Sequence, residues 1–150
     1  MAIARGAGTE IIRNILMEDV NNTNRVLIFG VQHHIYTVLS IICHCDVVNA
    51  AGDYIRTYIT GYDSLGGTTD ERFYIFKQDM QVGQTYVWND KFSFNGAEPA
   101  NFTGPMDDAT KQDAIADQGS TPVAQRLDIG AEHSSDAFDI CCTYIDQNNA

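Results

Sequence analysis

Four cysteines and four histidines are the most reactive side chains of this sequence. Cys43 and Cys45 flank His44, and Cys141 adjoins Cys142. Structural zinc sites usually place two to four residues between paired cysteines. In an extended strand, Cys43 and Cys45 would project from one face and His44 from the other, while Cys141 and Cys142 would diverge. The spacing therefore predicts small buried hydrophobic side chains, with no metal and no cofactor.

The remaining polar pairs do not form a catalytic pattern. His33 and His34 are adjacent, so in an extended chain they diverge and grip one metal poorly. Paired carboxylates can cleave a glycosidic bond, but adjacent acids such as Asp107 and Asp108 lack the required separation. No phosphate-binding loop, dinucleotide fingerprint or nucleophile elbow is present in the sequence. The chain is predicted not to be an enzyme, and an acid-type glycosidase or a metal enzyme is the least favoured alternative.

Aromatic residues suggest two other interpretations. One is a platform for stacking sugars beside Asn89 and Asp90, with the aromatic members Tyr54, Tyr58, Tyr62, Tyr86 and Trp88. The other, which we favour, is sheet packing combined with an interface between subunits. The residues predicted for an interface with another copy or with a capsid are Tyr54, Tyr58, Tyr74, Phe76 and Trp88.

Strand and turn signals dominate the elements that must position these residues. About eight strands are predicted: 10–17, 25–29, 35–45, 54–62, 72–77, 85–88, 124–129 and 137–145. Their spacing predicts an all-β protein, a single antiparallel β-sandwich of jelly-roll or immunoglobulin-like topology. The predicted organisation is an N-terminal arm over 1–9 and a sandwich over 10–150. Residues 95–123 are predicted to form a loop insertion with a short helix near Met106–Asp117.

The last predicted strand alternates most regularly. Phe138, Ile140, Cys142 and Tyr144 share one face, which should contact the core. Two other strands carry large apolar side chains on both faces. In strand 54–62, one face has Tyr54 and Tyr58 and the other has Ile55 and Ile59. In strand 72–77, one face has Tyr74 and Phe76 and the other has Phe73 and Ile75. Aromatic residues on both faces of a strand mean that the outer face is covered, either by the long insertion or by another subunit.

Composition restricts the class of partner. The net charge is −11, from 20 acidic and 9 basic residues, and the sequence contains no cluster of Lys and Arg. Such a chain repels phosphate, so nucleic acid is not an expected partner. No apolar run reaches the roughly 20 residues needed to cross a bilayer, so no membrane association is expected. The first residues lack the apolar stretch of a signal peptide, so we expect cytoplasmic synthesis and reduced thiols.

Four segments between roughly residues 30 and 145 resemble known proteins. They are Tyr36-Thr37-Val38-Leu39-Ser40-Ile41, Asn49-Ala50-Ala51, Gln81-Val82-Gly83-Gln84-Thr85-Tyr86-Val87 and Phe138-Asp139-Ile140. Together they resemble small β-sandwich virion proteins of tailed bacteriophages, of the head decoration or cement type. Each segment is a strand or turn feature, and residues 95–122 and the cysteines depart from the simplest form.

The resemblance implies a role in virion architecture. It implies a homo-oligomer, expected to be a trimer, that binds the major capsid protein or another virion protein and stabilises the phage head. It also implies location in the virion, after assembly in the host cytoplasm. The alternative is a glycan-binding module of a tail or fibre, with Trp88 in its platform. The N-terminal arm would either order on a neighbouring subunit or be a frayed terminus.

Overall fold

The computed structural model describes residues 9–100, 107–110 and 122–148, and these residues contain eleven β-strands. The strands are β1 (Thr9–Val20), β2 (Arg25–Phe29), β3 (His34–Val47), β4 (Tyr54–Asp63), β5 (Thr68–Asp79), β6 (Thr85–Trp88), β7 (Phe92–Asn95), β8 (Ala97–Pro99), β9 (Pro122–Ala124), β10 (Arg126–Ala131) and β11 (Ala137–Asn148).

The strands form two main antiparallel sheets that pack face to face, so the predicted all-β sandwich is confirmed. The five-stranded sheet has the order β1-β11-β3-β6, and β7 pairs with β3 on the same side as β6. The four-stranded sheet has the order β2-β10-β4-β5. Successive strands β1 to β4 alternate between the sheets, and the late strands β10 and β11 insert beside early ones. This interleaving is the jelly-roll topology, one of the two topologies that the sequence left open.

The core lies between the two sheets and is built from both. The side chains predicted to face the core from β11, Phe138, Ile140, Cys142 and Tyr144, are all buried. They pack with residues of the four-stranded sheet such as Leu127. β3 forms the centre of the five-stranded sheet because its Ile, Val, Tyr and Thr residues suit a strand with neighbours on both sides.

Two glycines allow three chain segments to meet at one end of the sandwich. The Gly30 N–H donates to the Gln125 carbonyl at 2.7 Å, and the Gly96 N–H donates to the His34 carbonyl at 2.7 Å. A Cβ on Gly96 would overlap the carbonyl of Val31, and one on Gly30 would overlap the carbonyl of Gln125. Only glycine permits this close approach of backbones.

The predicted insertion over 95–123 includes strand structure at both ends. β8 and β9 pair with each other as a separate two-stranded sheet. Of the predicted helix near Met106–Asp117, only residues 107–110 are described. The predicted arm over 1–9 lies outside the described residues except for Thr9, which belongs to β1. Over the ranges that the structure describes, no helix is long and apolar enough to span a membrane.

Candidate interaction surfaces

The outer face of the four-stranded sheet, which points away from the core, carries an unusual set of side chains. Cross-strand pairing puts Tyr58 of β4 beside Tyr74 of β5 and Asp128 of β10. Neighbours in each strand point the other way, and Ile55 and Leu127 are fully buried in the core. We call this outer surface the basic face and define it by Tyr54, Arg56, Tyr58, Arg72, Tyr74, Lys77, Arg126 and Asp128.

Cations lie over tyrosine rings across the basic face. Lys77 Nζ lies 3.9 Å from the centroid of the Tyr54 ring, and Arg72 Cζ lies 4.6 Å from that of Tyr58. Arg56 Cζ lies 5.7 Å from the Tyr54 centroid and 6.0 Å from the Tyr58 centroid. These are cation–π distances, and the apolar stems of the cations cover the aromatic rings. Tyr58 is therefore only 1% exposed although it lies on an outer face.

A buried carboxylate lies beneath these cations. Asp128 Oδ2 accepts hydrogen bonds from the Thr60 hydroxyl at 2.8 Å and from Arg126 Nε at 3.1 Å. Asp128 Oδ1 and the Tyr58 hydroxyl are buried without a hydrogen-bond partner. Burial raises the pKa of Tyr58, so the phenol stays neutral. The side chains of the cations cover the tyrosine rings of this polar face. Among the described residues, the face has no exposed pair of side chains arranged for catalysis.

The structure places the five predicted interface residues on two different sides. Tyr54 is half-buried and Tyr74 is 48% exposed on the basic face, but Phe76 is 7% exposed and points into the core. A β-bulge explains the difference: Thr57 pairs with Phe76 and Tyr58 pairs with Tyr74, so one residue of β5 is extra. Such a bulge reverses which side the next residues face. An interface role for the five residues, Tyr54, Tyr58, Tyr74, Phe76 and Trp88, remains a prediction.

Trp88 also points inward, towards the opposite sheet. Its ring stacks on Phe76 with centroids 5.7 Å apart, and Phe76 contacts Tyr86 at 5.1 Å. Trp88 pairs with the fully buried Ile41 in the ladder, which fixes this direction. The indole N–H is buried without a hydrogen-bond partner. This geometry turns the aromatic ring away from solvent, where a sugar-stacking platform would need it.

Sequence reasoning missed the cations of the basic face. Four of the nine basic residues of the chain lie on this face: Arg56, Arg72, Lys77 and Arg126. The expectation that no Lys/Arg cluster exists is therefore wrong for the folded chain. Strand register assembles them from three strands, so no run of the sequence displays the cluster. A partial signal existed: Tyr54, Arg56 and Tyr58 alternate along one strand and must share a face.

The outer face of the five-stranded sheet has a different character. Ile12 is 70% exposed, Leu16 is 75% exposed and Val87 is 50% exposed. Ile12 and Leu16 lie on β1, which pairs only with β11 among the described residues, so β1 is an open edge of this sheet in that part of the chain. Beside Leu16 is a depression of about 240 Å³, lined by Leu16, Met17, Glu18, Ile42, His44, Asp139, Ile140 and Cys141. We call this surface, from Ile12 to Val87, the apolar face.

Three carboxylates lie at one end of the apolar face. An oxygen atom from each of Asp19, Asp46 and Asp139 lies within 4.8 Å of the others, and we call this group the acidic cluster. The Asp139 carboxylate accepts a hydrogen bond from the Asp19 N–H at 3.2 Å. The hydrogen bond to Asp139 and the repulsion from its charge raise the pKa of Asp46, against the lowering effect of His44. Calcium takes about six to eight oxygen ligands, and the three carboxylates offer one close oxygen atom each. We therefore interpret the acidic cluster as a concentration of negative charge.

The cysteines lie where the sequence predicts small hydrophobic residues. Cys43, Cys45 and Cys142 are fully buried, Cys141 is half-buried, and all four are free thiols. Burial raises the pKa of Cys43 and of Cys142 to about 12. Both therefore remain protonated and inert, since the thiolate is the nucleophile and the metal ligand.

The adjacent histidines are separated by backbone geometry. His34 begins β3, and its Nδ1 lies 2.7 Å from Asp146 Oδ1 near the end of β11. His33 has a positive φ of 66° in the turn before that strand. His33 thus lies in a turn and His34 at the start of a strand, and the expectation that they do not act as one ligand pair stays a prediction.

Comparisons with known proteins bear on the fold only. No protein-family model matches the chain, and no curated protein is similar to it. A solved structure of Bacillus endospore appendages, described as a family of disulfide-linked pili, is 12% identical with a TM-score of 0.43, and the match covers 100% of this chain and 97% of that one.

Two further solved structures come from infectious bursal disease virus. The chain of the Gx strain is 8% identical with a TM-score of 0.43, covering 99% of this chain and 39% of that one. The chain of the T13 viral particle is 8% identical with a TM-score of 0.42, covering 99% and 37%. This chain thus spans less than half the length of the viral chains. At such identities and TM-scores, the likeness carries no argument about the activity or the partners of this chain.

Proposed function

We propose that this chain is a structural subunit that works by associating with further copies of itself, and that it is not an enzyme. The observation that carries this proposal is the apolar face. Three large aliphatic side chains that are at least half exposed lie on one side of one sheet: Ile12 and Leu16 on the edge strand β1, and Val87 on β6. Leu16 and Val87 lie in one row across the sheet, through Cys141 and Ile42. Exposed apolar side chains grouped on one face usually mark an interaction site, and an open edge strand adds unpaired backbone groups.

The particular role that we propose is in a virion, as a head decoration or cement protein. The subunit would form a homotrimer on the major capsid protein, after assembly in the host cytoplasm. The resemblance of residues 30–145 to such proteins supports this role. Jelly rolls occur in capsid and lectin domains alike, so the fold alone does not distinguish a capsid role from a glycan-binding role. The inward direction of Trp88 leaves the glycan-binding alternative without a specific observation in its favour.

Self-association can be tested with one substitution and a matched control. Leu16→Asp places a charge in the apolar face and should raise the dissociation constant of the oligomer at least about tenfold, because burying an unpaired charge is costly. Leu65→Asp is the control, since Leu65 is 85% exposed in the turn between β4 and β5, away from that face. Sedimentation equilibrium gives the mass and the constant. A wild-type chain that stays monomeric at high concentration would refute the proposal.

The virion role needs a separate experiment. Antibodies against the chain, visualised by gold labelling of particles from a lysate that produces it, should decorate phage heads at regular positions. Particles depleted of the chain should rebind purified wild-type protein and become more resistant to heat. Labelling of tails or fibres, or of no particle, would contradict the head assignment.

A further inference from the structure

We infer that the basic face of one copy docks on the apolar face and acidic cluster of a second copy. This inference rests on the proposed self-association and specifies the two surfaces that meet. It commits to a heterologous contact, in which each subunit uses one surface to bind and a different surface to be bound.

Charge complementarity is the first argument. The chain has a net charge of −11, yet four of its nine basic residues share the basic face. Arg126 is paired with Asp128 at 3.1 Å and with Asp70 at 3.4 Å. The ion pairs found among the described residues include none for the other three cations, which contact tyrosine rings instead. Two carboxylates share this face, Asp128 and the Asp79 that pairs with Tyr54, and the four cations outnumber them. A local excess of cations on an acidic protein is complementary to most of the remaining surface of an identical copy.

The apolar face offers the matching surface. Its depression has Leu16, Ile42 and Cys141 along the apolar part and Glu18 and Asp139 among the polar lining. Such a site fits the long apolar stem and charged head of an arginine or a lysine. The adjoining acidic cluster holds three carboxylate oxygens within 4.8 Å of one another. The hydrogen bond to Asp139, partial burial and repulsion from Asp139 and Asp19 raise the pKa of Asp46, and His44 offsets this only in part. A cation from a second copy would relieve this repulsion.

The position of the two surfaces determines the kind of assembly. They lie on the outer sides of opposite sheets, so the same copy can use both at once. A heterologous contact of this type closes into a ring if the rotation permits, and otherwise continues as an open chain. The trimer of the proposed function would be such a closed ring.

Two charge-reversing variants test the contact. Lys77→Glu alters the basic face at an exposed residue, and Asp46→Lys alters the acidic cluster at a position where the present charge is repelled. Each variant alone should weaken self-association at least tenfold in sedimentation equilibrium, because it places like charges against each other. Mixing the two should restore pairwise association, since the intact basic face of Asp46→Lys then meets the intact acidic cluster of Lys77→Glu. Raised salt should weaken the wild-type oligomer.

Matched controls are Lys91→Glu and Asp90→Lys, two exposed residues in the turn between β6 and β7 that belong to neither surface. They should leave the dissociation constant unchanged, and circular dichroism should show that all variants fold. If the wild-type chain self-associates but neither charge variant weakens it, the inference fails while self-association stands. If the wild-type chain is monomeric, both fail.

Two other results would overturn the inference. Variants that dissociate alone and stay apart when mixed would indicate that each surface binds the same surface of a second copy. Binding of wild-type protein to a short DNA duplex, lost in Lys77→Glu without a change in self-association, would assign the basic face to nucleic acid. Restoration in the mixture is the result that supports the inference.

Discussion

The hydroxyl of Thr60 donates a hydrogen bond to Oδ2 of Asp128 over 2.8 Å, and both residues are buried although they belong to the outer face of a sheet. The bond joins β4 to β10 on the side away from the core. Asp128 Oδ1 has no partner, so the carboxylate depends on Thr60 and on Arg126. The folded protein is sharply destabilised when a buried carboxylate that already lacks some hydrogen bonds loses one more donor.

Thr60→Val should lower the free energy of unfolding by about 1–3 kcal/mol, because it removes one donor and leaves the buried charge less satisfied. Urea denaturation followed by circular dichroism measures the change. Thr37→Val is the matched control, since the Thr37 hydroxyl bonds to Ser93 at an exposed position of β3. The control should change the free energy by less than about 0.5 kcal/mol. Equal effects of the two substitutions would contradict the role given to Asp128.

Gly96→Ala should be strongly destabilising. Its Cβ would overlap the carbonyl of Val31, and backbone cannot yield as a side chain can. Overpacking of this type costs about 1–3 kcal/mol or more. The control is Gly66→Ala, whose Cβ meets the side chain of Asp63, an end that can rotate away. Thermal unfolding should show a large fall in Tm for the first variant and a small one for the second. Similar Tm values would show that the segments do not meet this closely.

The native protein should expose at most one reactive thiol. With pKa values of about 12, Cys43 and Cys142 hold roughly one thiolate in ten thousand at pH 8, and Cys45 is fully buried with a raised pKa. A chromogenic disulfide reagent at pH 8 should therefore label only the half-buried Cys141 quickly. In guanidinium chloride all four thiols should react. Rapid labelling of three or four thiols without denaturant would be inconsistent with this core.

Asp46→Asn should stabilise the protein at neutral pH. The folded-state pKa of Asp46 is raised, so its ionised form is penalised in the folded protein, and the penalty disappears as the pH falls through the raised pKa towards the ordinary 3.8. The groups that face it are Asp19 of β1, Asp139 of β11 and His44 of β3.

The denaturation midpoint of Asp46→Asn should exceed that of the wild type at pH 7 and converge with it at low pH. The exposed Asp90→Asn is the control and should show no such pattern. Both proteins are compared at concentrations where they are monomeric, because a docked cation would reverse the repulsion. A variant that is less stable at pH 7 would mean that the Asp46 charge is favourable in the monomer.

Sequence patterns predicted most of the sandwich because its long strands carry their own signals. The bounds of β2 and β6 agree with the prediction, and the inward face of β11 follows from simple alternation. β7, β8 and β9 have only three or four residues each. They were missed because they lie in or beside the stretch that contains Pro99, Pro105 and Pro122, where turn-forming residues interrupt the strand pattern.

The surfaces were harder to predict than the strands. A single extra residue in β5 turned Phe76 into the core, and pairing of Trp88 with Ile41 turned the indole inward. Neither event leaves a mark in local sequence. The basic face and the acidic cluster each combine residues of three strands, so they exist only once the register is known.

The insertion of β11 between β1 and β3 has a consequence for biosynthesis. The side chains of His34 in β3 and Asp146 in β11 contact each other, and the two residues are 112 positions apart in the sequence. The centre of the larger sheet therefore cannot form until β11 has left the ribosome. Until then β1 and β3 lack their shared neighbour and present unpaired backbone to other nascent chains. Productive folding of this topology therefore waits for β11 and is slow, and crowded polysomes are where it would fail first.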